Sequence, residues 1–337
     1  MKKIRLFLLT LGATAMILAA CSSDDSPSTT NANGQDSILQ YLSTPGSVSF
    51  PELAEALGYL EGVELEKVSD YVGGPESIQL TATGEIDFGY AFNGAIIKSY
   101  AKGVNIKSVV GAYGSDENTF YGYYVLEGSD IKTAEDLIGK KIGVNTLGAH
   151  SEFTVKQFLL DNGLTKDEIK EVELVVVPTA SAEQILRAGQ IDVVALSGIG
   201  KERALENGGI RPVFKDIDLF GEFTAGEFFF TAKYIEENSD TVKTFVEGVA
   251  KAIEWARTTP HEEVIAKYEE IISAREGNET IDNLKYWKST GIAEEGGQIA
   301  EKEFQIWIDW LVTYGELKEG QVKVEDLYTN EYNPYAK

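Results

Sequence analysis

The chain has 337 residues, with 54 Asp or Glu and 30 Lys or Arg, which gives a net charge of −24 at pH 7. This acidic balance excludes charge-driven binding to nucleic acid or to anionic lipid, because the surface would repel both. The length suits two lobes of ordinary domain size, and one cysteine cannot form an internal disulfide or a cysteine metal cluster.

The N-terminus predicts export. Lys2, Lys3 and Arg5 precede an uncharged apolar stretch from Leu6 to Ala20, which is shorter than the roughly 20 residues that span a bilayer. Small residues then lead to Cys21, the only cysteine. This start resembles a bacterial lipoprotein signal, which implies that residues 1–20 are removed and that lipid on Cys21 anchors the protein outside the cytoplasm.

Residues 21–36 predict a tether between the lipid and the folded body. The run from Ser22 to Asp36 has no aromatic and almost no apolar side chain. Such a segment cannot bury enough surface to offset the entropy of ordering it. We therefore expect residues 21–36 to be flexible.

The folded body begins with a strand, a loop and a helix. Ile38 to Leu42 predicts a short strand, and Pro45-Gly46 interrupts it before a helical pattern that starts at Phe50. A strand that leads through a loop into a helix is typical of α/β folds with parallel sheets.

A near-repeat then predicts two similarly built halves. The stretch from Glu76 to Gly89 parallels the stretch from Ala182 to Val194, and each reads as a helix, a glycine, then Ile-Asp and an apolar strand. Glycine closes helices readily because the left-handed cap conformation strains it least. The two glycines, Gly84 and Gly189, are 105 residues apart, a separation typical of one lobe.

Other segments continue the alternation of strands and helices. Further strands are predicted at 106–113, 121–126, 141–145, 172–177, 193–197 and 228–232, and further helices at 133–138, 150–162 and 200–207. From Asn238 onward the pattern is almost wholly helical, and we expect its aromatic residues to be core. The predicted fold class is α/β with two Rossmann-like lobes.

Catalytic motifs are scarce. The two histidines, His150 and His261, are far apart in sequence, and no nucleophile elbow or metalloprotease motif occurs. Gly143 to Gly148 has the glycines of a phosphate loop, but Ala149-His150 replace the Lys-Ser/Thr that it needs. The sequence therefore predicts no catalytic centre and no cofactor.

Polar loops at strand-to-helix junctions predict a binding cleft instead. Thr146 to Ser151 follows a strand and opens a helix, so its amides, hydroxyls and imidazole could surround a small oxyanion; alternatively, Thr146 or Ser151 simply caps the helix. Comparable loops occur at 45–50 and 73–76, and Asn93-Gly94 and Ser197-Gly198 follow the two repeated strands. Loops at the carboxyl ends of strands are where open α/β sheets bind ligands.

The chain resembles the type II periplasmic binding proteins, in particular the solute-binding lipoproteins of the sulfonate/nitrate/taurine group of ABC importers. The resemblance rests on the lipoprotein start, on the two repeated units and on the stretch from Thr133 to Val144, which holds Glu-Asp-Leu-Ile-Gly-Lys-Lys-Ile-Gly-Val. It covers nearly the whole mature chain.

The resemblance implies a specific architecture and site. Residues 37–118 and 227–337 would form lobe I, with the C-terminal helices packed on it, and residues 119–226 would form lobe II. Two crossing segments near 113–122 and 211–227 would form a hinge that closes over the ligand. The implied ligand contacts are Ser47, Val48, Gly74, Asn93, Thr146, Gly148, Ala149, His150, Ser197 and Glu227.

The implied function is capture of a small organic anion, such as a sulfonate, taurine or nitrate, and its delivery to an ABC permease and its ATPase subunits. We expect a monomer that binds no metal and catalyses no reaction. The cluster Tyr121-Gly122-Tyr123-Tyr124 leaves room for a flat aromatic ligand, so a thiamine-pathway pyrimidine or a riboflavin-like compound is the alternative cargo. Two rival hypotheses are an enzyme on the same fold and a ligand sensor without transport.

Overall fold

A computed structural model of the protein describes residues 34–275 and 279–336. The predicted signal peptide, Cys21 and residues 21–33 of the predicted tether lie outside the described residues. Gln35 and Asp36 are already tied to the folded body, since Gln35 accepts from the backbone N–H of Asp240 (2.8 Å) and the Asp36 N–H donates to Asn238 Oδ1 (3.0 Å). No helix in the described ranges is long and apolar enough to cross a membrane.

Strands and helices alternate through the first two thirds of the chain. The strands are β1 (Ile38–Ser43), β2 (Glu64–Asp70), β3 (Phe88–Phe92), β4 (Ile106–Ser115), β5 (Gly122–Leu126), β6 (Lys141–Val144), β7 (Glu173–Val176), β8 (Val193–Leu196), β9 (Ile210–Lys215) and β10 (Phe223–Thr231).

Most helices are short, and the longest lie toward the C-terminus. They are α1 (Phe50–Ala56), α2 (Gly74–Thr83), α3 (Asn93–Ala101), α4 (His150–Asp161), α5 (Lys166–Lys170), α6 (Ala182–Arg187), α7 (Gly198–Glu206), α8 (Asp216–Phe220), α9 (Ala232–Glu237), α10 (Ser239–Thr258), α11 (His261–Ala274), α12 (Glu301–Thr313) and α13 (Val324–Leu327).

The strands pair in three sheets. Strands β1 to β4 and β10 form two of them, and strands β5 to β9 form the third. β1 and β2 pair in parallel, and β10 lies antiparallel between β3 and β4. The middle of the chain forms a separate sheet in the order β7-β6-β8-β5-β9, with both parallel and antiparallel pairs. The fold is thus α/β, as the sequence predicts, and the exact lobe boundaries at 118/119 and 226/227 stay a prediction.

The predicted repeat is present in both parts of the chain. α2 ends at Gly84 (φ +76°) and leads to β3, while α6 is followed by Gly189 (φ +67°) and leads to β8. A positive φ at each glycine lets the chain turn off the helix without a Cβ clash. The sequence pattern therefore identifies the same local unit in each sheet.

Two strands and four helices of the structure are missing from the sequence prediction, the helices being α3, α5, α8 and α9. β2 is mostly exposed and polar, so it lacks an apolar pattern, and β9 contains Pro212. The sequence analysis gives no helix for 93–101, where α3 forms. The predicted helix at 133–138 is only a 3₁₀ turn at Glu135–Leu137, and β10 begins at Phe223 rather than at 228.

Each part has its own apolar clusters, and Phe153 of α4 also packs into a cluster of the other part. Alternate residues of β5 face opposite sides of the middle sheet, since Tyr123 and Val125 pack with α4 while Tyr124 packs with α6. The C-terminal helices cover the other sheets, and Phe245 and Trp307 are fully buried there. This confirms the expectation that most of the C-terminal aromatic residues are core.

The chain crosses between the two parts twice, and hydrogen bonds tie the crossings together. The first crossing joins β4 to β5 and the second joins β9 to β10. Asp216, at the start of the second, accepts from the Ser115 hydroxyl (2.6 Å) and from the Tyr121 N–H (3.0 Å), and its own N–H donates to the Tyr121 carbonyl (3.0 Å). These bonds lie within the two segments predicted as the hinge.

Candidate functional site

A cavity of about 380 Å³ lies between the two parts of the chain. Residues from β1 to β4 and β10 form one wall, and residues after β6 and β8 form the other. The volume suits a small organic molecule. The cavity therefore lies between the two parts of the chain, and ligand binding there stays a prediction.

Aromatic rings form much of the lining. Seven of the residues that line the cavity carry phenyl or phenol rings: Tyr71, Tyr90, Phe92, Tyr113, Phe120, Tyr121 and Phe228. Tyr71 and Tyr90 stack with ring centroids 4.1 Å apart. Such faces bury the flat surface of a ligand and favour stacking with an aromatic one.

The polar part of the lining consists of uncharged hydroxyl and amide groups and one imidazole. It consists of hydroxyl and amide side chains from Thr44, Ser47, Ser49, Thr119, Asn145, Thr146 and Ser197, the four tyrosine hydroxyls and the ring of His150. No Lys, Arg, Asp or Glu is among the described residues that line the cavity. Burial raises the pKa of Tyr71, Tyr90, Tyr113 and Tyr121, so these phenols stay protonated and can donate.

Two cations near the lining, Lys201 and Arg275, are paired with carboxylates. The Lys201 Nζ is 3.4 Å from the centroid of the Phe120 ring and 3.0 Å from Glu202 Oε1. Burial lowers the pKa of Lys201, opposed by Glu202. Arg275 lies behind the loop that carries Ser47, where its guanidinium donates to the Ser47 carbonyl (2.8 Å) and to Glu52 Oε1 (2.9 Å).

Arg275 contacts this loop directly, although it lies more than two hundred residues away in sequence. It also pairs with Glu279, whose carboxylate accepts from the Gly46 N–H (2.6 Å). Glu52 in turn accepts from the N–H and hydroxyl of Ser49, both at 2.7 Å. Sequence reasoning missed this support. The capping-box spacing from Ser49 to Glu52 was the one local signal, and it does not point to Arg275.

Seven of the ten residues implied as ligand contacts line the cavity together. They are Ser47, Val48, Gly74, Thr146, Ala149, His150 and Ser197. Gly74 lies against Ala91, where an added Cβ would be 2.9 Å from the Ala91 Cβ, so a side chain at this position would push into β3. Their contact with a ligand stays a prediction.

Asn93, Gly148 and Glu227 lie elsewhere. Asn93 and Glu227 are fully buried, and the Asn93 Nδ2 donates to Glu227 Oε1 (3.3 Å) and to the Glu303 carbonyl (3.2 Å). The Gly148 N–H donates to Glu152 Oε2 (2.7 Å). The structure therefore places two of these groups in the interior and gives the Gly148 amide an acceptor within the chain.

The loop at 146–151 does not cap its helix by a side chain. Ala149 is the N-cap of α4, and no side chain accepts a hydrogen bond there. The Ser151 hydroxyl donates instead to Asn145 Oδ1 (3.3 Å). The capping alternative for Thr146 and Ser151 is thus wrong, and the loop presents Ala149 and His150 to the cavity.

Residues outside the predicted set complete the site. Tyr90, Tyr113 and Phe228 meet because β3, β4 and β10 are neighbouring strands. Tyr71 follows β2 and stacks on Tyr90. Nothing in the local sequence around them points to a ligand. Among the described residues, no group of three His, Cys, Asp or Glu is placed to hold a metal ion.

Comparisons with known proteins match most of the chain. A family model described as NMT1/THI5 like matches residues 52–263. A curated protein of Brucella abortus, named as a candidate binding protein, is 24% identical over 272 residues, which cover 78% of this chain and 80% of that protein.

Solved structures share the fold at low sequence identity. The periplasmic aliphatic sulphonate binding protein SsuA of Escherichia coli is 19% identical, with a TM-score of 0.66, and the match covers 87% of this chain and 92% of SsuA. The periplasmic nitrate-binding protein NrtA of Synechocystis PCC 6803 is 13% identical, also with a TM-score of 0.66, over 88% and 86% of the two chains. Both support a periplasmic binding protein fold.

Proposed function

We propose that this chain, which belongs to the NMT1/THI5-like family, is the extracytoplasmic solute-binding component of an ABC importer. The observation that carries the proposal is the cavity of about 380 Å³ between two lobes that are joined by two crossing segments. A ligand held there contacts both lobes, so it stabilises the closed form that a permease would recognise.

The protein acts by binding and not by catalysis. His150 is the only base among the described residues that line the cavity, and no serine hydroxyl in the lining donates to it. The one cysteine, Cys21, is placed in the export signal. It cannot supply the cysteine-rich motif expected of an enzyme of the pyrimidine-synthase type.

The Cys21 thiol carries the membrane anchor. Residues 22–33 are polar and include no aromatic side chain, so they separate the folded body from the lipid. A lipid chain contributes about 0.8 kcal/mol of membrane affinity per buried methylene. Loss of palmitate labelling and release of the Cys21→Ser protein into the medium or periplasm would test this part of the proposal.

The ligand is flat and carries little or no net negative charge. Seven aromatic rings line the cavity, and neither Lys nor Arg is among its described lining residues. A buried anion without a cationic partner would depend wholly on neutral donors. The chain's net charge of −24 would also oppose the approach of an anion. These features favour the aromatic cargo over a sulfonate or nitrate.

One observation favours the small organic anion as a second candidate. Ala149 and His150 bring the N-terminal end of α4 to the cavity, and a helix N-terminus attracts negative charge. The names of SsuA and NrtA agree with an anion. An anion would therefore bind at this end, with hydroxyl donors from Thr146 and Ser197.

A thermal-shift screen separates the two candidates. The panel contains taurine, butanesulfonate and nitrate on one side and an aminopyrimidine and riboflavin on the other. A ligand at 100 times its Kd stabilises the folded state by about 2.7 kcal/mol, which is readily measured. Stabilisation by the aromatic compounds alone supports the preferred cargo, and stabilisation by the anions alone overturns it.

Two variants locate the binding site. Tyr121→Leu removes a ring from the cavity lining, and Tyr335→Leu removes one outside it. We expect the first to abolish the ligand-induced shift and the second to keep it. Equal shifts in both variants would contradict binding in this cleft.

A further inference from the structure

A smaller cavity, the side pocket, lies in the middle sheet next to the main cavity between the two parts of the chain. Its volume is about 50 Å³, which is room for about two water-sized groups. It lies at the carboxyl ends of β6, β7 and β8, and the small or polar residues of its lining include Asn145, Ser151, Thr179, Ala182, Ala195 and Gly200.

The connections of the middle sheet explain why a crevice forms at this edge. β6 lies next to β8 and runs parallel to it. α4 follows β6 and packs on one face of the sheet through Val155 and Leu159, whereas α7 follows β8 and packs on the other face through Ala204. Neighbouring strands whose chains leave to opposite faces open a crevice at their carboxyl ends, and open α/β sheets bind ligands in such crevices.

The side pocket and the main cavity share a wall. Tyr121, Asn145 and Ser197 line both cavities. Burial raises the pKa of Tyr121, and Ser197 opposes that rise, so these two side chains interact at the wall. Because the same side chains face both spaces, the wall between the two cavities is one layer of side chains thick.

The side pocket is uncharged and offers hydrogen bonds of both kinds. No Lys, Arg, Asp or Glu is among the described residues that line it. The Ser151 side chain is 1% exposed, and its hydroxyl donates to Asn145 Oδ1 (3.3 Å), so the Ser151 oxygen keeps lone pairs that can accept. The Asn145 amide nitrogen is a donor, and the Thr179 hydroxyl can donate or accept. A hydroxyl group therefore suits this space, whereas a charged group would have no counter-charge.

Small side chains keep the side pocket open. Ala182 and Ala195 present only methyl groups to it, and Gly200 presents no side chain. A Cβ built on Gly200 meets no heavy atom within 4 Å. Gly200 lies in the first turn of α7 without the positive φ that would require glycine. The backbone there accepts a larger residue, whose side chain would occupy space that is now empty.

We propose that the side pocket receives a short uncharged substituent of the ligand that ends in a hydroxyl group, while the flat ring of the same ligand stays in the main cavity. This proposal rests on the proposed binding function and narrows its cargo to an aromatic compound with such a tail. The tail passes the wall formed by Tyr121, Asn145 and Ser197. The volume limits it to about three non-hydrogen atoms, the first of them within the wall.

Three benzimidazoles that differ only in the group on N1 test the length and polarity of the tail. The 2-hydroxyethyl compound has a three-atom tail with a terminal hydroxyl, the propyl compound replaces that hydroxyl by a methyl group, and the methyl compound is too short to pass the wall. Calorimetric titration of the full-length Cys21→Ser protein measures the three Kd values. We expect the hydroxyethyl compound to bind about tenfold more tightly than either of the others. Equal affinities would overturn the proposal.

Intermolecular NOEs locate the bound tail. Protein labelled at the alanine methyls has reporters in the main cavity, Ala112 and Ala149, and in the side pocket, Ala182 and Ala195. We expect NOEs from the ring protons to the first pair and from the hydroxyethyl protons to the second. NOEs from the tail to Ala112 and Ala149 alone would overturn the side pocket and leave binding in the main cavity intact. NOEs to none of the four would overturn the aromatic cargo together with its subsite.

A matched pair of variants closes the side pocket or leaves it open. Gly200→Val fills the space next to Gly200, and Gly128→Val makes the same change at a glycine that also has open space but lines neither cavity. The affinity ratio of the hydroxyethyl to the methyl compound should fall from about ten toward one in Gly200→Val and persist in Gly128→Val. A ratio that persists in Gly200→Val would contradict the proposal. The NOE experiment needs no such variant, so it decides the question even where Gly200→Val does not fold.

Discussion

Glu227→Gln should stabilise the protein, by an amount that grows with pH. Glu227 is fully buried, and among the described groups it has one hydrogen bond, from Asn93 Nδ2 to its Oε1. Its Oε2 and the Asn93 Oδ1 are both unpartnered within the described chain. Burial, followed by repulsion from Glu303, raises the pKa of Glu227 well above its ordinary range.

The sign of the effect follows from proton linkage. The folded state holds a proton on Glu227 at pH values where the unfolded chain has released it. The free energy of unfolding therefore falls as pH rises from the unfolded carboxyl pKa of about 4.3 toward the raised folded pKa. One extra proton in the folded state corresponds to about 1.4 kcal/mol per pH unit.

Glutamine removes this cost because it does not titrate. The stability difference between Glu227→Gln and the parent should grow by about 1.4 kcal/mol per pH unit from about pH 5 up to the raised folded pKa. Urea unfolding at several pH values measures it. Glu236→Gln, at an exposed position in α9, is the control and should show no growing difference.

A difference that does not depend on pH, or a loss of stability at every pH, would refute this reasoning. The same variant tests the ligand contact that the sequence analysis assigns to Glu227. Since the side chain lies in the interior and not in the cavity lining, the ligand-induced thermal shift should be retained.

Three further changes test the packing around the cleft. Arg275→Ala should cost about 3 kcal/mol in urea unfolding, because it leaves the Glu52 carboxylate, which is 5% exposed, without its cation; a loss under about 1 kcal/mol would contradict the ion pair. Gly114→Ala should cost about 1–3 kcal/mol, because an added Cβ would overlap backbone carbonyl oxygens, while Gly128→Ala has open space and should stay within about 0.5 kcal/mol. Phe153→Ala should cost about 3–5 kcal/mol, because this ring of α4 packs on α12 of the other lobe; thermal unfolding measures it, and a small loss would show that the contact is dispensable.

Local sequence alone determined the repeated unit and most strands. Glycine after a helix, followed by an apolar run, fixes a cap and a strand without help from distant residues, so Gly84 and Gly189 mark the same unit in both sheets. The loops at 45–50 and 146–151 were identifiable for the same reason, since strand-to-helix junctions have a recognisable pattern.

Tertiary structure decided how the cleft is lined and supported. Tyr90 and Tyr113 lie on different strands, and they face one cavity because β10 separates and aligns those strands. Arg275 reaches Glu52 across the fold, and Asp216 meets His150 only where the crossings come together. Such contacts depend on which strands pair and how the helices pack. Neither can be predicted from a local pattern of residues. The sequence therefore indicated several loops that line the cavity, while only the packed structure determined that aromatic rings and hydroxyl groups form the rest of its lining.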